Sequence, residues 1–221
     1  MSDVDFSAYI QYLAVAAIPL LLGITLHEVA HGRMARRFGD RTAELMGRLS
    51  LNPLKHIDPV GTVLVPLLLV VMQSGFLFGW AKPVPVNPLQ MRNPKKALIA
   101  VAFAGPGANL LMALGWAAFF WMVRILGGSF ADLGGFFLQM ARIGIFFNVL
   151  LATFNLIPIP PLDGSRILRG LVAEPLARQL DAIERYGLII VLGLMFLGLL
   201  GPIVHFANFV MRLLGVPPLF A

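Results

Sequence analysis

The chain of 221 residues has no cysteine, and only 13% of its residues are charged. The lack of cysteine excludes a disulfide framework and thiol chemistry. Soluble domains carry roughly a quarter charged residues, so the low charge argues against a soluble globular domain, a disordered chain and a coiled coil. Apolar sequence takes the place of charge, because 58% of the residues are hydrophobic and the mean hydropathy is +0.84. We therefore expect membrane segments rather than one or two soluble domains.

Long apolar stretches divide the chain, and about 20 such residues suffice for a spanning helix. The stretches are Tyr9–Ala30, Val60–Phe78, Ala97–Leu126, Gly135–Ile157 and Tyr186–Val210. The first follows acidic rather than basic residues, unlike a cleaved signal peptide. We predict an all-α polytopic membrane protein that forms a single domain over residues 1–221. Its core helices are expected at about 9–36, 97–126 and 135–158, with C-terminal membrane segments within 186–214.

The net charge of +6 comes from 17 basic and 11 acidic residues. In a soluble protein this excess would suggest a nucleic-acid partner. Here most of the basic residues lie in three loops, around residues 33–55, 82–96 and 166–185, and the loop at 127–134 has none. Loops rich in Lys and Arg stay on the cytoplasmic side of a membrane. We therefore expect all three loops in the cytoplasm, a lipid bilayer around the chain and no nucleic acid.

The second apolar stretch, at residues 60–78, conflicts with this charge pattern. If it crossed the membrane completely, the basic loops on its two sides could not share a compartment. Its uninterrupted apolar run covers only Val63–Met72 and contains Pro66. We therefore favour a re-entrant element, which is tolerated where the backbone is buried in protein or lines a wet cavity. The alternative is an ordinary spanning helix with an imperfect charge bias.

The first apolar stretch ends in the sequence His27-Glu28-Val29-Ala30-His31. On a helix, positions i and i+4 share one face, so both imidazoles can reach one metal ion. Glu28 lies beside them, where it can act as general base toward a water that the metal activates. Ionisable groups are costly at the end of an apolar helix, which favours a functional role. The alternative is that Glu28 and His31 simply emerge into the cytoplasm.

A zinc site of this type needs a third protein ligand and an open position for water. Asp163 is the best candidate, because it follows the fourth apolar stretch after three helix-breaking prolines. The first and fourth helices both run toward the cytoplasm, so His27, His31 and Asp163 can converge. The alternative is that Asp163 only caps the helix that begins after it.

With these residues in place, the chain resembles the site-2 protease family of intramembrane zinc metalloproteases. The resemblance covers most of residues 10–170 and includes two stretches, 52–59 and 79–88, that are similar to a compact bacterial branch without a PDZ domain. The other matching segments are His27–His31, Ala104-Gly105-Pro106-Gly107-Ala108-Asn109 and Asn155-x-x-Pro158 followed by Leu162-Asp163-Gly164.

The resemblance implies one Zn²⁺ per chain, with His27, His31 and Asp163 as ligands and Glu28 as the catalytic base. It implies a three-helix catalytic core with a re-entrant element, and a substrate that is itself a membrane protein with a transmembrane helix. The expected reaction is hydrolysis of peptide bonds within or near that helix, on the cytoplasmic side of a bacterial cytoplasmic membrane. One departure is the long and hydrophobic segment between His31 and Ala104.

Several other polar residues have two interpretations. The resemblance implies that Asn155 binds or polarises the substrate carbonyl, whereas locally it would satisfy backbone groups freed by the prolines. His56 lies in a loop on the active-site side, where it contacts the ligand shell or the substrate, or is a solvated loop histidine. Asn109 and Asn148 are expected to form hydrogen bonds between helices. His205 lies far along the chain and is not expected to be a ligand.

A function of another class is also compatible with the segments, namely a non-proteolytic membrane protein such as a metal transporter or a scaffold. A transporter would have polar groups along a path through the bilayer, whereas the ionisable groups here cluster at one face. A scaffold would be expected to lose Glu28 or a ligand. The sequence therefore favours the protease, and its substrate helix must unwind because a helix pairs its own peptide groups. Residues 79–88 could hold the unwound segment by edge pairing.

Overall fold

The computed structural model describes residues 6–72, 79–126, 131–198 and 200–220. Throughout these ranges the chain forms helices and loops, and no strand is present there. Two 3₁₀ turns (Pro53–His56 and Pro88–Gln90) and a π-helical turn (Pro59–Leu64) lie in the loops. The α-helices are α1 (Phe6–Arg37), α2 (Thr42–Leu45), α3 (Val65–Val71), α4 (Pro94–Leu126), α5 (Ala131–Asn155), α6 (Asp163–Leu171), α7 (Glu174–Glu184), α8 (Gly187–Phe196) and α9 (Leu200–Leu213).

Helices α1, α4 and α5 are long and apolar enough to cross a membrane, through Ala14–Arg37, Pro94–Leu126 and Gly134–Asn155. They pack against one another in all three pairings, and α6 packs on α4. Helices α8 and α9 reach that length only together, as a pair bent by 76°. The prediction of an all-α polytopic membrane protein is therefore confirmed.

The second apolar stretch forms a short apolar helix over Pro59–Leu69. The described helical part is shorter than the roughly 20 residues that a spanning helix needs, and the re-entrant element stays a prediction. Asp58 begins the segment, because its Oδ1 accepts hydrogen bonds from the amides of Val60 and Gly61. Residues 73–78 of the predicted element lie outside the described residues.

The core between α4, α5 and α9 combines small and aromatic residues, among them Ala113, Ala117 and Phe120 of α4 and Ala141 of α5. Small residues let membrane helices approach closely. Gly144 of α5 faces Trp116 of α4, and a Cβ on this glycine would lie 2.4 Å from the indole ring. The glycine therefore makes room for the indole.

We expect Gly144→Ala to lower the stability of the bundle by about 1–3 kcal/mol, the usual cost of overpacking. The matched control is Gly115→Ala on α4, whose added Cβ would meet nothing within 4 Å and which should be neutral or slightly stabilising. Thermal unfolding in detergent measures both. Equal midpoints for the two variants would contradict this account of the packing.

The loop between α5 and α6 places Asp163 against the helix bundle. Helix α5 ends at Asn155, α6 begins at Asp163, and the prolines lie between them. Gly164 permits a tight return of the chain, since a Cβ there would lie 2.3 Å from the Leu156 carbonyl oxygen. Asp163 is thus the first residue of α6, and its carboxylate is buried without capping that helix.

Candidate metal centre

Three ligand-capable side chains meet where the end of α1, the middle of α4 and the start of α6 come together. The Nε2 atoms of His27 and His31 are 3.0 Å apart. Each lies 3.2 Å from Oδ2 of Asp163, and all three side chains are buried. Within the described ranges, no other group of His, Cys, Asp and Glu side chains could hold a metal ion with three ligands.

The spacing of these three atoms fits a tetrahedral zinc ion. Zinc bonds to nitrogen and oxygen are about 2.0–2.1 Å long, so two ligand atoms of a tetrahedral site lie about 3.3 Å apart. The observed triangle has sides of 3.0–3.2 Å. Two imidazoles and a carboxylate are a donor set typical of a catalytic zinc, which keeps its fourth position for water.

The protonation of the two imidazoles supports the same conclusion. Nδ1 of His27 lies 2.6 Å from Oδ1 of Asn109, and Nδ1 of His31 lies 2.7 Å from the carbonyl oxygen of Val101. These oxygens only accept, so each Nδ1 donates, and in a neutral imidazole Nε2 then presents a lone pair. Oδ2 of Asp163 is buried without a hydrogen-bond donor. Three such atoms facing one another repel unless a cation lies between them.

Asn109 fixes the orientation of His27 through a network of amides between helices. Its Nδ2 donates to the Gly23 carbonyl (3.1 Å) and to Oδ1 of Asn148 (2.9 Å), and Nδ2 of Asn148 donates to the Gly144 carbonyl (2.8 Å). This leaves only Oδ1 of Asn109 to face the imidazole. The predicted hydrogen bond between helices by Asn109 and Asn148 is therefore confirmed, and its link to His27 is new.

Gly105 lets the backbone of α4 pass directly beside the two imidazoles. A Cβ at this position would lie 2.4 Å from Nε2 of His31 and 2.7 Å from Cε1 of His27. The close approach brings the Val101 carbonyl and the Asn109 amide within reach of the histidines. Helix α4 therefore supports the two histidines of the candidate metal centre.

Glu28 follows His27 on α1 and is half-buried. Its Oε2 accepts a hydrogen bond of 2.7 Å from the Val84 amide. Val84 belongs to the loop that precedes α4. The carboxylate is therefore held by backbone at the edge of the metal centre.

The remaining predicted residues are not part of the cluster of His27, His31 and Asp163. Nδ2 of Asn155 donates to the Leu151 carbonyl at 3.0 Å, within its own helix. His56 is buried, and its Nε2 donates to the Ser50 carbonyl at 2.8 Å, so it is not a solvated loop histidine. His205 is exposed on α9. Substrate contacts by Asn155 and His56 stay predictions.

Comparison with known proteins agrees with this centre. The model of peptidase family M50 matches residues 121–200, which include Asp163 but not the helix of His27. YwhC of Bacillus subtilis, a protein named as a zinc metalloprotease, is 40% identical over 178 residues, which are 79% of this chain and 77% of YwhC. Rip2 of Mycolicibacterium smegmatis, named likewise, is 30% identical over 193 residues, 85% of this chain and 69% of Rip2.

No solved structure is significantly similar to the chain. The length and identity of the match to YwhC are sufficient to establish the family, and the apolar helices establish an integral membrane protein. The chain therefore belongs to peptidase family M50, the site-2 protease family, and is a zinc-dependent metalloprotease.

Proposed function

We propose that this protein hydrolyses peptide bonds within or near the transmembrane segments of other membrane proteins. His27, His31 and Asp163 hold one zinc ion, and Glu28 is the catalytic base. The observation that carries the proposal is the position of the ligands. Both histidines lie inside the apolar helix Ala14–Arg37, so a peptide bond must enter or approach the bilayer to reach them.

When bound, zinc supplies Lewis-acid polarisation of the scissile carbonyl and acidifies water. Glu28 takes a proton from the attacking water and passes it to the leaving amine. The Asn109 side chain and the Val101 carbonyl hold the two imidazoles in the tautomer that presents Nε2. The chain itself thus supplies the base, the ligands and their orientation.

A transmembrane substrate must present an extended segment to this site, because a helix pairs its own peptide groups. Residues 79–87 form a loop without helix or strand, and Val84 of this loop contacts Glu28. The prolines that follow Lys82, Val84 and Asn87 favour an extended backbone at these residues. An extended backbone beside the base can align a second extended segment by edge pairing. This proposal gives the loop beside Glu28 a role in substrate binding.

We also propose that the site faces the cytoplasm of a bacterial cell. Helix α1 ends in Arg36 and Arg37, and α4 begins with Lys95 and Lys96 at the same end of the bundle. Lys and Arg concentrate on the cytoplasmic side of membrane proteins. The metal ligands lie toward this basic end.

The proposal is tested with the purified protein in liposomes that also contain a library of single-span membrane proteins, tagged at both ends. We expect cleavage of a subset, mapped by mass spectrometry to the membrane segment or its border. A chelator should stop cleavage and added zinc should restore it. Cleavage only in tails far from the membrane would contradict the proposal, and zinc uptake that Glu28→Gln leaves unchanged would favour a transporter.

Asn109→Ala is expected to weaken zinc binding by about 10- to 100-fold, the usual effect of losing the partner of a histidine ligand. The matched control is Asn208→Ala on α9, where Nδ2 donates to the Phe220 carbonyl. That variant also loses an asparagine hydrogen bond, but away from the metal centre. Competition with a chelating dye measures both affinities, and equal values would contradict the role of Asn109.

A further inference from the structure

The loop from Lys82 to Asn87, here called the strap, has the sequence Lys-Pro-Val-Pro-Val-Asn. Proline has no amide hydrogen and keeps the residue before it extended. The strap is therefore stiff and has few amide donors. The Val84 amide lies between two prolines, and its hydrogen bond goes to Oε2 of Glu28 at 2.7 Å.

Both ends of the strap are fixed to neighbouring loops. On one side the Lys82 amide donates to the His56 carbonyl at 2.9 Å. The largely buried Arg48 donates through Nη2 to the carbonyl of Lys82 at 2.7 Å and to that of Pro83 at 3.3 Å. These contacts hold the backbone just before Val84.

On the other side the Asn87 amide donates to Oδ2 of Asp40 at 2.6 Å, and the Thr42 amide donates to Oδ1 at 2.9 Å. Burial alone would raise the pKa of the Asp40 carboxyl, but its interactions with Thr42 and Asn87 outweigh burial and lower that pKa. Asp40 therefore stays ionised and holds the strap just after Val84.

The Val84 side chain seats the strap on α1. Val84 is only 7% exposed, and a Cβ on Gly32 would lie 2.9 Å from its Cγ1. Positions 28 and 32 share one face of a helix, so the side chain packs one turn beyond the carboxylate that the amide binds. Backbone and side chain of Val84 thus fix the strap relative to Glu28.

We propose that the Val84 amide is a positioning group for the catalytic base, an inference that rests on the proposed function. It binds Oε2 of Glu28 and leaves Oε1 for the proton transfers. Within the described part of the chain, the carboxylate has no other hydrogen bond. A charge-assisted bond of this kind fixes geometry, and misplacing a catalytic group by about 1 Å can cost 10²-fold in rate.

Val84→Pro tests the proposal, because it removes the amide hydrogen from a position already flanked by prolines. We expect kcat to fall about 10- to 100-fold on the single-span reporter that the wild-type protein cuts, with KM and zinc content unchanged. Val84→Ala keeps the amide and should lower kcat less than Val84→Pro does. The control is Leu89→Pro just beyond the strap, which removes an exposed amide whose hydrogen bond goes to Oδ1 of Asn87 rather than to Glu28. This control should retain kcat within about threefold of wild type.

A backbone ester at Val84, introduced as α-hydroxyvaline, removes the N–H group and keeps the side chain, so it should reproduce the loss even if Val84→Pro folds poorly. Wild-type kcat in the ester variant would overturn the proposal. A raised kcat would overturn it as well, since the strap would then block the site, and so would a change in KM alone. If Glu28→Gln is itself active, the proposed function fails; if only the ester variant is active, the inference alone fails.

Discussion

Glu28→Gln is expected to lower the rate of substrate cleavage by about 10³-fold or more, near the upper range for loss of a general base. The amide has nearly the shape of the carboxylate and can still accept the Val84 hydrogen bond, but it cannot take a proton from water. The metal ligands are unchanged. Zinc content, membrane insertion and thermal stability should therefore equal those of the wild-type protein.

The matched control for this substitution is Glu44→Gln in α2. Glu44 forms ion pairs with Arg36 at 3.0 Å and Arg41 at 2.8 Å, at the same end of the molecule as Glu28. Exposed pairs contribute little to stability, so this variant should cleave at the wild-type rate. Normal cleavage by Glu28→Gln would show that Glu28 is not the catalytic base and would contradict the proposed mechanism.

The sequence predicts the main parts of the site because helical spacing is local information. The i, i+4 spacing places His27 and His31 on one face of α1, and the run of prolines predicts a break before Asp163. The boundaries are less predictable. Helix α5 ends at Asn155, whereas the apolar pattern places its end near residue 158. The helix stops early because a residue that precedes proline avoids the helical conformation.

The orienting contacts could not be predicted, since they join parts of the chain that are distant in sequence. His27 and Asn109 are 82 residues apart, and Glu28 and Val84 are 56 residues apart. An asparagine in an apolar helix indicates a buried hydrogen bond, but not its partner. The proline pattern of the strap indicates an extended segment, but nothing local in it points to a carboxylate on α1.

The role of Gly105 could not be predicted from the sequence either, because the two histidines that an added Cβ would meet lie on another helix. We expect Gly105→Ala to weaken zinc binding at least about 10-fold, comparable to the loss of an orienting partner, and to lower activity accordingly. The added Cβ would lie 2.4 Å from Nε2 of His31. The ring cannot turn away without losing the bond from its Nδ1 to the Val101 carbonyl.

Gly107→Ala is the matched control, because it makes the same change on the same helix. Its Cβ would meet only the Phe103 ring at 3.6 Å, an ordinary contact. Zinc content after dialysis and the metal-dependent rise in the unfolding midpoint should fall for Gly105→Ala and stay unchanged for Gly107→Ala. If both variants have the same unfolding midpoint in the presence of a chelator, the loss of zinc binding in Gly105→Ala comes from the metal ligands and not from a less stable helix bundle. If Gly105→Ala binds zinc with wild-type affinity, α4 can move to accommodate the added methyl group, and its backbone does not hold the histidines in place.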